Sequence, residues 1–194
     1  MIFKGRKKIV LLGIVAAGML FACKNSYSPR PRGYFRIDFP EKEYVLFDST
    51  CPYKFEMPVY ATIENNVNND STPCFINLAF PALNSKIHIS YLPVQDNLGL
   101  LLEEAHKFAY KHVQKADGID RKLISYPAKN VYGMLYNIKG NVASSCQFYL
   151  TDSVRHYFRG ALYFYEKPNK DSIAPVLDFI NLDILRMIES FEWK

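Results

Sequence analysis

Asp152, Ser153 and His156 place the acid, nucleophile and base types of a hydrolase triad within five residues, and Ser144-Ser145 offers two more hydroxyls just upstream. In such a triad the carboxylate orients an imidazole that takes the serine proton, so the three groups must meet in space, whatever their spacing in the chain. Asp152-Ser153 falls between two strand-like runs, where Asp and Ser are ordinary turn formers, so turn chemistry is the expectation and no catalytic residue is assigned. His106 and His112, two of the four histidines, are six apart and fall on different helix faces, whereas a metal-binding pair on a helix needs i and i+4. His112 lies on an apolar stripe, the place of a hydrogen-bonded core histidine. GxSxG, HExxH, GxGxxG and a glycine-rich phosphate loop are all missing, so neither metal nor cofactor is expected.

Cys23 is different, because its neighbours specify a chemistry. Lys4, Arg6, Lys7 and Lys8 form a positive start, residues 9–21 are apolar apart from Gly13 and Gly18, and Leu20-Phe21-Ala22-Cys23 closes the run. The run is shorter than the roughly 20 residues of a comfortable membrane span and has the order of an export signal. Its end resembles the lipobox of bacterial lipoproteins, with a small residue directly before the cysteine. That resemblance implies a signal peptide over 1–22 and a Cys23 thiol that takes a diacylglycerol, with fatty acid such as palmitate as the anchor. At about 0.8 kcal/mol per buried CH₂, two or three acyl chains make a permanent attachment to the membrane.

The signal accounts for the basic balance of the chain. It holds four of the 24 basic residues and no acidic one, so the remainder carries 20 against 19 and is nearly neutral. The formal net charge of +5 is therefore an export feature, and no nucleic-acid partner is expected. Cys51, Cys74 and Cys146 remain after Cys23. An oxidising compartment permits one disulfide among them and leaves one thiol over, with the pairing open.

Residues 23–36 read as a tether. Pro29 and Pro31 favour extended polyproline II geometry, and at about 3.1 Å per residue the stretch 24–33 spans roughly 30 Å. Arg30, Arg32 and Arg36 set positive charge near anionic headgroups, each adding about 1 kcal/mol when close to that surface. Four short strings, beginning at Asp48, Asp70, Asp152 and Asp171, resemble an O-glycosylation motif of Bacteroidetes periplasmic proteins. Ser71, in the polar loop 64–73, is the best placed acceptor among them.

The body, 37–194, reads as a single α+β domain: an antiparallel sheet with about two helices packed on one face of it. Period-2 patterns mark strands over 75–80, 86–91, 131–138, 146–150 and 156–165, with shorter candidates at 54–57 and 60–64. A helical stripe runs through Leu98, Leu102, Ala105, Ala109, His112 and Ala116 until Gly118 stops it. A second stripe, Leu177, Ile180, Ile184, Met187 and Phe191, makes a closing helix with Asp171 or Ser172 as N-cap and Pro175 in the first turn. The closing helix followed by Ser190-Phe191-Glu192-Trp193 resembles the PsbP-like sandwich.

In the 156–165 run, Phe158, Leu162 and Phe164 take one face while Tyr157, Tyr163 and Tyr165, with Arg159, take the other. Tyr and Arg dominate interface hot spots, so Tyr157, Arg159, Tyr163 and Tyr165 form a candidate protein-binding face. The competing expectation is that a helix or loop covers this face and makes the tyrosines core; solvent exposure separates the two.

Several long strings then match one family as a set. They are Arg30-Pro31-Arg32-Gly33-Tyr34-Phe35-Arg36-Ile37-Asp38-Phe39-Pro40, Cys51-Pro52-Tyr53-Lys54-Phe55-Glu56, Lys139-Gly140-Asn141-Val142-Ala143-Ser144-Ser145, Arg159-Gly160-Ala161-Leu162-Tyr163-Phe164 and Pro168-Asn169-Lys170-Asp171-Ser172-Ile173-Ala174-Pro175. In this order they resemble the gliding-motility lipoprotein GldD family of the Bacteroidetes. The resemblance implies a non-enzymatic outer-membrane lipoprotein that faces the periplasm, linked to type IX secretion, a scaffold or stabilising partner of other motility or secretion proteins. Lys24-Asn25-Ser26 lacks an acidic run of the sort associated with surface export, which fits the periplasmic face. The other readings are a periplasmic ligand-binding module, which needs a cleft with convergent polar groups, and an envelope hydrolase, which needs an assembled nucleophile.

Overall fold

The computed structural model describes residues 36–65, 74–111 and 113–194. The expected signal peptide, Cys23, the expected tether before Arg36, Ser71 and His112 lie outside them. The elements run β1 (Tyr44–Asp48), β2 (Tyr53–Pro58), β3 (Thr62–Asn65), β4 (Ile76–Phe80), β5 (Ser85–Pro93), α1 (Leu98–Tyr110), β6 (Ala116–Tyr126), β7 (Val131–Gly140), β8 (Cys146–Thr151), β9 (His156–Phe164), α2 (Lys170–Ser190) and β10 (Glu192–Trp193). All strand pairs are antiparallel, so the α+β class holds. Seven strands make one sheet in the order β3-β4-β5-β9-β8-β7-β6, and β1-β2-β10 make a second, smaller one.

The main core fills the space between the two sheets and α2. Tyr53 and Phe55 of β2, Phe158 and Leu162 of β9, and Ile180, Ile184, Met187 and Phe191 at the C-terminus all bury there. This is the expected stripe of the closing helix, and it packs against alternate residues of β9 as a period of 2 requires. The intervening residues of β9 face the other way, where α1 lies: Leu101 and Ala105 pack on Tyr157. The two helices therefore sit on opposite faces of the large sheet instead of one. A central strand covered on both sides carries apolar residues at both parities, which blurs the alternation.

Local chemistry explains the boundaries. Phe80 and Tyr126 each lead into a 3₁₀ turn, Pro81–Leu83 and Pro127–Lys129, that ends on an asparagine in the left-handed region, Asn84 (φ 45°) and Asn130 (φ 53°). Proline fixes the entry and asparagine tolerates the exit, so one short pattern closes both the β4–β5 and the β6–β7 hairpins. The helix expected to continue to Ala116 ends at Tyr110, and Ala116–Tyr126 is a strand. That segment pairs with β7 along its whole length, past an irregularity at Ala116/Gly118, and the ladder outweighs the helical spacing of Ala116. The N-cap of α2 is Asn169, ahead of Asp171 and Ser172, and the Lys170 N–H is taken by Asn141 Oδ1 at 2.8 Å.

Cys51 and Cys74 form the disulfide, closing the 23-residue separation that contains β2 and β3. Among the described residues Cys146 is the free thiol, fully enclosed, its pKa pushed up to about 12 by burial.

Candidate functional site

The triad types do not assemble. Asp152 Oδ1 accepts the backbone N–H groups of Val154, Arg155 and His156 at 3.0, 2.8 and 2.8 Å, which makes it the organiser of the β8–β9 turn. Partial burial opposes ionisation of this carboxyl, but the three amides outweigh it and hold its pKa below the usual value. Ser153 adopts φ 69° in the same turn, and its N–H donates to Thr151 Oγ1. The His156 ring meets the Tyr91 hydroxyl through Nδ1 at 2.7 Å and stacks on Trp193, so the position a triad carboxylate would occupy is taken by a phenol. Ser144 and Ser145 are buried. His88 pairs with Asn77 and His106 stacks on Tyr110. Among the described residues no three His, Cys, Asp or Glu side chains gather as a metal site.

The tyrosine face divides. Tyr157 is 3% exposed and belongs to the core, which corrects its assignment to an open surface: α1 crosses this part of β9, and the Tyr157 hydroxyl donates to the Leu101 carbonyl at 3.3 Å. Burial raises its pKa. Tyr163 is half-buried with its ring edge-on to His88, and Tyr165 is 54% exposed with Lys86 Nζ over its ring. Arg159 stands where the cover of α1 runs out. Its Nη2 donates to Gln147 Oε1 at 2.9 Å, and its guanidinium lies 4.4 Å from the centre of the Phe108 ring.

Arg159 and Tyr163 line an open cleft of about 440 Å³ between the end of α1, the β7–β8 loop and β9. One wall carries Phe108, Lys111 and Lys115, the other Asn141 and Val142. Gly140 sets the distance between these walls. Its φ is +111°, and a Cβ there would stand 2.8 Å from the Lys115 carbonyl and 2.9 Å from the Asp117 nitrogen, so only glycine permits so close a crossing. Behind Asn141, Lys170 pairs with Asp117 and fixes the start of α2. Three stretches far apart in sequence, 139–145, 159–164 and 168–175, meet at this cleft through Asn141, Arg159 and Pro168. The lining holds three cations and no carboxylate.

A second polar cluster escaped the sequence reading. Asp183, 1% exposed on the buried side of α2, accepts from Lys42 Nζ at 2.6 Å, Tyr44 OH at 2.9 Å and Tyr60 OH at 2.6 Å. Lys42 also donates to the Phe179 carbonyl and lies over the Phe179 ring, on which Phe39 stacks. Burial lowers the Lys42 pKa against the pull of Asp183; burial and the Asp183 bond together raise Tyr44 to about 12 and Tyr60 as well. Lys42 also donates to the Tyr60 oxygen at 2.8 Å, so the donors of the cluster are spent on Asp183, on Tyr60 and on the main chain, and the cluster closes the fold. The signal was available: Asp183 falls in the spacing of Ile180, Ile184 and Met187, a carboxylate inside an apolar stripe, which requires buried partners.

Curated proteins contain no match to this chain. Among solved structures, the solution structure of cyanobacterial PsbP (CyanoP) from Synechocystis sp. PCC 6803 is similar at a TM-score of 0.47 and 10% identity, covering 80% of this chain and 95% of that one. The family model described as gliding motility lipoprotein GldD matches residues 24–193. A match over that span takes in every described residue but Lys194, and the chain belongs to the gliding motility lipoprotein GldD family.

Proposed function

We propose that this chain is a lipid-anchored, non-enzymatic docking subunit of the gliding machinery, on the periplasmic face of the outer membrane and linked to type IX secretion. Cys23 carries the acyl chains, residues 23–36 are the tether, and residues 37–194 are the domain that holds a partner. The observation that carries the reading is the rim of the cleft: Arg159, stacked on Phe108 and beside Tyr163, combines the residue types that dominate protein interfaces at an open surface. The Cys51–Cys74 disulfide supports a compartment outside the reducing cytoplasm. The hydrolase alternative loses its support, because Asp152 and His156 are committed to a turn and to Tyr91.

A crosslinking pull-down from intact envelopes tests this reading, with wild type compared to Cys23→Ala. Wild type should capture components of the motility and secretion apparatus, and Cys23→Ala should incorporate no labelled palmitate, lose the capture and stop gliding. Capture of no such component by wild type, or a Cys23→Ala strain that labels and glides normally, overturns it.

A further inference from the structure

We propose that the cleft beside Arg159 holds an acidic peptide segment of the partner protein, with Arg159 gripping one carboxylate and Lys111 and Lys115 drawing in its neighbours. The inference rests on the docking reading above and adds the chemistry of what docks.

Charge is the first ground. The body, 37–194, is slightly acidic, 16 basic residues against 19 acidic, yet the cleft lining contains Lys111, Lys115 and Arg159 and not one carboxylate. Lys111 and Lys115 form no ion pair with any described residue, whereas most of the other lysines near this end are paired: Lys107 with Glu103, Lys139 with Asp120, Lys170 with Asp117. A field of one sign in a recess recruits the opposite charge and excludes like charge.

Preorganisation is the second. Gln147 is 2% exposed, and its amide oxygen holds one arm of the Arg159 fork while the Phe108 ring supports the flat face. A guanidinium fixed in this way loses little freedom on binding, and its remaining N–H groups bond no other described residue. Those groups suit the two oxygens of a carboxylate. The rest of the lining decides the occupant: Asn141 and Gln114 offer amides and Val142 an apolar wall. A peptide backbone with side chains uses all three surfaces, while a bare phosphate uses only the cations and fills little of about 440 Å³.

The test uses the full-length lipoprotein in detergent micelles and the anisotropy of a fluorescein-labelled Asp/Glu-rich decapeptide. Binding should weaken at least tenfold in Lys111→Glu/Lys115→Glu, whose side chains are exposed so that the melting temperature stays at the wild-type value, and at least tenfold in Arg159→Gln. Affinity should also fall as salt rises. Unlabelled decapeptide should displace the probe. Inorganic phosphate and a short-chain phosphatidylglycerol at equal concentration should not, and competition by either reassigns the cleft to phosphate or headgroups and overturns the proposal. Peptide binding untouched by the charge reversal overturns it too. The envelope pull-down repeated with Lys111→Glu/Lys115→Glu separates the two readings: capture of the same motility components by this variant sinks the cleft and leaves the docking subunit standing.

Discussion

Asp183→Ala removes the acceptor shared by Lys42, Tyr44 and Tyr60: the two hydroxyls lose their partner, and Lys42 keeps only the Phe179 carbonyl and the Tyr60 oxygen, with no counter-charge. Three bonds to one carboxylate, each about 1.5–3 kcal/mol but less than additive because they share an acceptor, suggest a loss of about 4 kcal/mol or more. That agrees with the roughly 3–5 kcal/mol typical of breaking one side of a buried ion pair. The Lys42 side chain stays 26% exposed and keeps some water, so the lower part of the range, about 3 kcal/mol, is the expected value. Lys42→Met/Asp183→Leu removes both charges together and should recover the part of the loss that comes from an unpaired Lys42, while Tyr44 and Tyr60 still lack their acceptor. Urea unfolding followed by fluorescence measures both, since Trp193 is the single tryptophan and sits against Phe191 in the core. The midpoint should move with an unchanged slope. An Asp183→Ala variant within about 1 kcal/mol of wild type would refute the reasoning, as would a double variant no more stable than the single one.

Three further outcomes follow from other parts of the fold. Cys51→Ala/Cys74→Ala releases a loop spanning a sequence separation of 23, which chain entropy values at about 3 kcal/mol, and dithiothreitol should lower the wild-type urea midpoint to that of the variant. Gly140→Ala forces a side chain into the left-handed region and against the Lys115 carbonyl, so it should cost about 1–3 kcal/mol in a thermal melt; an unchanged melting temperature would mean the crossing relaxes freely. Asp152 has a folded pKa below its ordinary value, so its stabilisation is present above that ordinary value and lost as pH falls through the folded one. Melting temperature measured from about pH 6 to about pH 2 should therefore fall less steeply for Asp152→Asn below about pH 4 than for wild type.

Elements with one wet and one dry face were legible, because their periodicity is the imprint of burial. Strand β5 and the stripe of α2 from Ile180 to Phe191 are of this kind. Legibility failed where burial was two-sided or absent. Strand β9 lies between β5 and β8 with a helix or small sheet over each face, so Tyr157 looked like a surface residue by parity and is core by position. Strand β6 is the sheet edge, mostly exposed on both faces, and Asp117, Asp120, Arg121 and Lys122 hide its strand character while discouraging edge-to-edge pairing. Of the candidate site, Arg159 and Tyr163 were visible as residue types. Gln147 and Phe108, which give Arg159 its fixed pose, become its partners only through the β8–β9 register and the course of α1.

The cluster around Asp183 also determines how the domain answers a mechanical load. A pull on the backbone at residue 37 travels along the segment leading to β1, whose first residue, Tyr44, pairs with the last residue of β2, Pro58. On hydrogen bonds alone, such a pull would peel β1 away one rung at a time, the weakest way to load an antiparallel pair. Phe39 against Phe179 and Lys42 with Tyr44 on Asp183 divert that force into α2 before it reaches the second rung. The second half of the helix is itself anchored in the core through Ile180, Ile184, Met187 and Ile188, so rupture requires several contacts to give way at once. A load applied at residue 37 is thus borne by the body of the domain, and β1 is shielded from being unzipped.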